Sequence, residues 1–196
     1  MIDRVRKDRF GSTTLSYIGS TRGIYCILAL ILFVALFLRL EEVKATYVDS
    51  IKVTGSALEY KQLADHILEP QAVPPPGNPL GLSLIMVPFF AVLPFSHDAI
   101  QVGISLTASM GSVLLIFFFC RGLVGPFQAL IVAALTAVNT TMINNAPRGL
   151  TEELYTVSLL VVLGWYRTII REVQRQGWAY IVLGLLVGWM ILVRKD

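Results

Sequence analysis

Ala99 to Cys120 reads AIQVGISLTASMGSVLLIFFFC, a stretch without a single charged residue and apolar on every side of a helical wheel. A helix needs roughly 20 mainly apolar residues, each rising about 1.5 Å, to cross a bilayer. Gly23 to Leu38, Gly122 to Ala146, Leu154 to Tyr166 and Trp178 to Val193 are equally free of charge. Hydrophobic residues make up 55% of the 196 and charged ones only 15%, against about 25% charged in an ordinary soluble domain. A soluble core of this size could not cover so many helices that are hydrophobic all round. The reading is therefore an all-α, polytopic transmembrane helical bundle.

The charges outside these stretches assign sides. Arg4, Arg6, Lys7, Arg9 and Arg22 precede the first hydrophobic run, and such a bias favours the cytoplasm. Residues 1–22 read as a cytoplasmic basic tail, and residues 23–196 as the membrane module. The first run is too long for a signal core and lacks a small-residue cleavage site, so it reads as an uncleaved span of about Ile24 to Leu40. The net charge of +3 does not indicate nucleic acid, because the basic residues flank hydrophobic segments and form no single basic face. Cys26 and Cys120 both fall in apolar runs and read as buried thiols, with no disulfide or zinc pattern.

From about 41 to 79 the chain is polar and slightly acidic, counting Arg39 among its charges, as expected of a first external loop. Within it Tyr60, Leu63, Ala64, Ile67 and Leu68 recur at helical spacing opposite Glu59, Lys61, Gln62, Asp65 and His66. This predicts an external amphipathic juxtamembrane helix. Pro74-Pro75-Pro76-Gly77-Asn78-Pro79 comes next and cannot be helical. Leu80 to Phe95 is apolar but short and interrupted by Pro88 and Pro94. If it crossed the membrane, the loop carrying Arg167, Arg171 and Arg175 would lie outside. A re-entrant or juxtamembrane hairpin keeps both that loop and Arg121 inside, and leaves spans at about 99–120, 126–143, 153–170 and 178–193. Gly103, Thr107 and Gly111, like Gly184 and Gly188, recur every four residues, a spacing that lets membrane helices pack closely.

No phosphate-binding glycine loop, metal-spaced His/Cys set or Ser-His-Asp arrangement is present. Polar candidates collect on the outer side: Glu59, Tyr60, Asp65 and His66 in the first loop, and Asn144 to Glu153, with Arg148, Glu152 and Glu153, in the second. Charges at the mouth of a bundle suggest a site. They are equally compatible with solvated loops in which Asn145 or Thr151 caps the next helix. A transporter or channel is disfavoured, because no ionisable residue reads as lying mid-span.

The order of these elements adds a resemblance. Glu59-Tyr60-Lys61-Gln62-Leu63-Ala64, then Pro75-Pro76-Gly77-Asn78-Pro79-Leu80, then a helix ending at Arg121-Gly122-Leu123-Val124-Gly125, then Arg148-Gly149-Leu150-Thr151-Glu152 opening another helix, resemble the N-terminal part of the GT-C superfamily of membrane glycosyltransferases. Over residues 20–196 the closest in style are the polyprenyl-phosphate-sugar transferases and protein O-mannosyltransferases. The resemblance implies a sugar carried from a lipid-phosphate donor to an acceptor on the non-cytoplasmic face of a bacterial or archaeal cell membrane. It gives catalytic roles to the Ser56 position, Glu59 and Glu152, and substrate-binding roles to Tyr60, Arg148 and Glu153, and it leaves a divalent metal ion open.

Two departures qualify it. Ser56 stands where the family has an aspartate, and a serine hydroxyl is no base near neutral pH without help. Family members also continue past the position of Asp196, so a truncated module, inactive alone and completed by a C-terminal half or a partner subunit, is the expectation. The alternative is a non-catalytic membrane subunit that binds a lipid-linked glycan or a partner protein. The charge pattern itself is testable with single cysteines in a background lacking Cys26 and Cys120. An impermeant maleimide added from outside should label position 148 and not 171; the reverse would make Leu80 to Phe95 a full crossing.

Overall fold

The computed structural model describes residues 21–47, 50–69, 80–149, 151–171 and 177–193. Residues 1–20 of the basic tail, Asp49, the proline run at 74–79 and Arg175 lie outside them. Every regular element among the described residues is helical. They are α1 (Thr21–Thr46), α2 (Ser56–Leu68), α3 (Leu80–Val92), α4 (His97–Val124), α5 (Pro126–Ala137), α6 (Thr140–Asn145), a 3-10 turn (Ala146–Arg148), α7 (Glu152–Arg171) and α8 (Trp178–Val193). Three helices, α1, α4 and α7 up to Ile170, are long and apolar enough to cross a membrane. α5 together with Thr140–Arg148 makes a fourth if a pair bent by 49° is one crossing. This is the constitution of a multi-pass integral membrane protein, and α8 is apolar but shorter than a full crossing.

α4 is the central post. Its 28 residues extend about 42 Å, more than the roughly 30 Å hydrocarbon core. Ser96 starts it by accepting a hydrogen bond from the Ala99 amide at 3.3 Å, and Gly125 followed by Pro126 ends it and opens α5. Ile24, Leu28 and Ala35 of α1, Val113 and Phe117 of α4, and Ala129, Leu130, Ala133 and Ala137 of α5 form one core. The small residues that let helices meet closely are thus the alanines of α5. In the Gly103, Thr107 and Gly111 stripe Gly111 meets α7, where a Cβ would lie 3.6 Å from Val157, but Gly103 does not. A Cβ at Gly103 would touch nothing within 4 Å, and all three residues line an apolar groove of about 810 Å³ with Phe89, Phe95 and Val157. Gly184 and Gly188 also meet nothing.

Contacts between helix ends give the relative topology. Arg121 Nη1 donates to the Tyr25 hydroxyl at 2.6 Å, so the start of α1 and the end of α4 share one end of the bundle. Arg167 donates to the Phe119 and Gly122 carbonyls, bringing the end of α7 there as well. Trp165 Nε1 donates to the Ala179 carbonyl at 3.0 Å, tying in the start of α8. α3 begins and ends at the opposite end. Gly81 lies so close to the end of α8 that a Cβ would come within 2.8 Å of the Leu192 oxygen and Val193, while Phe90 stacks on His97, ring centroids 3.9 Å apart. Its partner α2 packs Tyr60 and Ala64 against Leu82, Met86, Phe90 and Ile100, and Ser83 donates to the Tyr60 carbonyl at 2.9 Å.

Four expectations need correction. α1 continues past Leu40 to Thr46, because Glu41, Glu42 and Lys44 are good helix formers and Lys44 pairs with Glu41 at 2.6 Å. The 126–143 span is broken after Ala137, where Asn139 caps a new helix by accepting from the Met142 amide. Cys26 is exposed and Cys120 only half-buried, because Cys26 sits on the outward face of α1. Finally, ionisable groups do lie inside the bundle. Arg39 is fully buried and Glu153 is 2% exposed.

Arg39 satisfies its Nε and Nη1 along the polar face of α4 and leaves Nη2 enclosed without a hydrogen bond. Its Nε donates to Ser109 Oγ at 2.8 Å, and Nη1 donates to the Ala35 and Ala137 carbonyls, each at 3.0 Å. Ala137 is the last residue of α5, so a cation satisfies a helix C-terminal carbonyl that the break leaves without a partner. Glu153 reaches the same face through Ser105 Oγ at 3.5 Å and interacts electrostatically with Arg39. Losing the guanidinium leaves the Ala137 carbonyl buried without a donor, which typically costs about 1–3 kcal/mol. Arg39→Leu should therefore lower unfolding stability in bicelles by about that amount, and Ser109→Ala added to it should cost little more. A single variant as stable as the unmodified chain would contradict the arrangement.

Candidate functional site: a cationic pocket at the α1–α2 end

At the end of the bundle where α1 stops, a polar pocket of about 580 Å³ is lined by Thr46, Tyr47, Ser50, Lys52, Thr54, Ser56 and Arg148. Each wall has a local cause. Ser56 is the first residue of α2, placed by Gly55, whose φ of 61° turns the chain into the helix. Val53 and Ala57 bury against Val102 and so anchor the segment that carries Lys52. Arg148 closes the 3-10 turn, and Gly149 after it adopts φ 65°, ψ 35°, the left-handed conformation that favours glycine.

The Arg148 turn is held from inside. Tyr47 donates its hydroxyl to the Pro147 carbonyl at 2.7 Å. Burial raises the Tyr47 phenol above its ordinary value and Asp98 adds to this, so the hydroxyl keeps its proton as a donor. Gln101, fully buried in α4, donates through Nε2 to the Ala57 and Gly149 carbonyls, each at 2.8 Å. Arg148 itself is exposed, and neither it nor Lys52 has an ion-pair partner among the described residues.

The residues singled out from sequence separate into groups. Ser56 and Arg148 come together in this pocket. Tyr60 is 8% exposed in the core between α2 and α3. Glu59 is half-buried on α2. Glu152 is half-buried at the start of α7, with Oε2 enclosed and without a hydrogen bond. Glu153 points to Ser105. None of these four lines the pocket. Asp65 is bound to His97 Nδ1 at 2.6 Å and Lys61 pairs with Asp98 at 3.0 Å, which fastens α2 to the start of α4.

Sequence reasoning misses Lys52, Tyr47 and Gln101. Lys52 reads only as one loop charge among several. Gln101 has a usable signal, because Gln101, Ser105, Ser109 and Ser112 form a helical stripe of polar residues in an otherwise apolar span and all are buried.

Chemically the pocket offers two cations and several hydroxyls, with no carboxylate among its described lining residues. That suits a phosphate or another oxyanion, which arginine meets as a fork and lysine as a point charge. Among the described residues no group of three His, Cys, Asp or Glu able to hold a metal occurs. Set against known proteins, the chain matches no family model, and no curated protein matches it.

Proposed function

We propose that this chain is a glycosyltransferase-like membrane module that holds the phosphate of a lipid-linked sugar at the outer membrane surface, with Arg148 and Lys52 as the phosphate-binding residues. The observation that carries the reading is the meeting of Arg148, Lys52 and Ser56 in one polar pocket. Arg148 and Ser56 are residues that the GT-C resemblance assigns to donor and acceptor.

A non-catalytic lipid-glycan-binding subunit is the second reading, and one feature favours it. Sugar transfer to a hydroxyl gains about 10²–10⁴ in rate from a positioned base. The pocket presents Ser56 where the family has a carboxylate, and Glu59, Glu152 and Glu153 lie outside its lining. Binding and transfer are therefore separable.

Binding of a short-chain polyprenyl phosphate to the chain in nanodiscs reads out the first. A charge-assisted contact is worth roughly 1.5–3 kcal/mol, so Arg148→Ala and Lys52→Ala should each weaken binding about tenfold or more. Arg171→Ala, at the other end of the bundle, should leave it unchanged. Equal affinities for all three would remove the phosphate site. Sugar release from a radiolabelled polyprenyl-phosphate donor reads out the second. Turnover above an Arg148→Ala control establishes transfer, and binding without turnover establishes the lipid-glycan-binding subunit.

A further inference from the structure

Gln101 stands one turn into α4 and is fully buried, where an amide is costly unless its hydrogen-bonding groups are used. Both hydrogens of Nε2 have a direction. One faces the Ala57 carbonyl and the other the Gly149 carbonyl, each at 2.8 Å. Ala57 follows Ser56, and Gly149 follows Arg148. A single amide thus joins the backbone of two opposite pocket walls that are remote in sequence.

The joint has a fixed sense. Oε1 of Gln101 is enclosed and has no hydrogen-bond partner, so the group acts here only as a double donor. Turned over, it would set an oxygen against two carbonyl oxygens. The fit is also tight, since a Cβ on Gly149 would lie 2.9 Å from Gln101 Cγ. Only glycine brings that backbone this close while holding φ at 65°.

We infer that Gln101 is the positioning residue of the cationic pocket, setting the separation between its Ser56 wall and its Arg148 wall. The separation is a property of the fold. Its effect on ligand binding rests on the reading of the pocket as a phosphate site. Lys52 lies on the Ser56 segment and Arg148 on the other wall, so an anion held between them depends on Gln101.

The wall separation is measurable without any ligand. In a chain lacking Cys26 and Cys120, Ser56→Cys and Arg148→Cys can be bridged with bis-maleimides of graded length. With Gln101 in place, one length should react fastest. Gln101→Met, of similar size but without donors, should broaden the profile and slow the preferred reagent about tenfold, the usual effect of losing a hydrogen bond. Gly149→Ala, which crowds the same joint from the other side, should shift the profile too, and the two changes together should be less than additive. A cysteine pair at positions 25 and 121, at the far end, reports that the bundle is folded. If that pair fails in Gln101→Met, the Gly149→Ala profile decides. An unchanged profile in a folded variant overturns the inference. Binding then separates the two proposals, with arginine and lysine intact. Polyprenyl phosphate and inorganic phosphate should both bind Gln101→Met about tenfold more weakly than the unmodified chain. A shifted cross-linking profile with no phosphate binding to any form would overturn the pocket's function and leave the positioning role standing.

Discussion

Lipid offers no hydrogen bonds, so every polar group that a helix carries into the bilayer must be satisfied by protein. For this chain that constraint is concentrated on Arg39. Its guanidinium finds Ser109 on α4, the Ala35 carbonyl on its own helix and the Ala137 carbonyl at the end of α5. The last contact sets the course of the chain beyond α5. That helix can stop at Ala137, one turn sooner than its apolar sequence suggests, because a cation meets the negative end of its dipole. The bend there of 49° turns the chain toward α6, the 3-10 turn and Arg148. A charge that reads in sequence as part of an external loop is therefore the internal support of the loop that carries the candidate site.

The same reasoning explains the polar stripe of α4. Gln101, Ser105, Ser109 and Ser112 are buried on one side. Three of them serve other elements: Gln101 serves the walls of the pocket, Ser105 receives Glu153 and Ser109 receives Arg39. Ser112 bonds back to its own helix at Ala108. Opposite this face, Gly103, Thr107 and Gly111 leave a shallow apolar groove. The central helix is thus polar toward the protein and apolar toward lipid, the reverse of an amphipathic helix in water.

Length and hydropathy made the all-helical, multi-pass class legible. The helix at Ser56–Leu68 was readable from the spacing of Tyr60, Ala64 and Leu68 with their charged opposites. What sequence could not supply was pairing between distant residues. Arg39 meets Ala137 across 98 positions and Tyr47 meets Pro147 across 100, and neither leaves a local signal. Small residues at a spacing of four were ambiguous for a similar reason, since the spacing permits close packing without naming a partner. The alanines of α5 found α1, Gly111 of α4 found Val157, and Gly103 found only a groove. Of the six residues assigned to a site, Ser56 and Arg148 converge, because both sit where helices begin or end at the same surface. Tyr60 and Glu153 were drawn inward by the core and by the stripe of α4.

The central claim is that the pocket between Ser56 and Arg148 holds a lipid-borne phosphate. Photo-cross-linking tests it most directly, using a polyprenyl phosphate with a diazirine beside the phosphate, in nanodiscs, followed by mapping of the labelled peptides. The account predicts label within residues 46–56 and around Arg148, lost when unlabelled polyprenyl phosphate competes. Label confined to α8 or to the Arg121 end, or label that competitor does not displace, would contradict it.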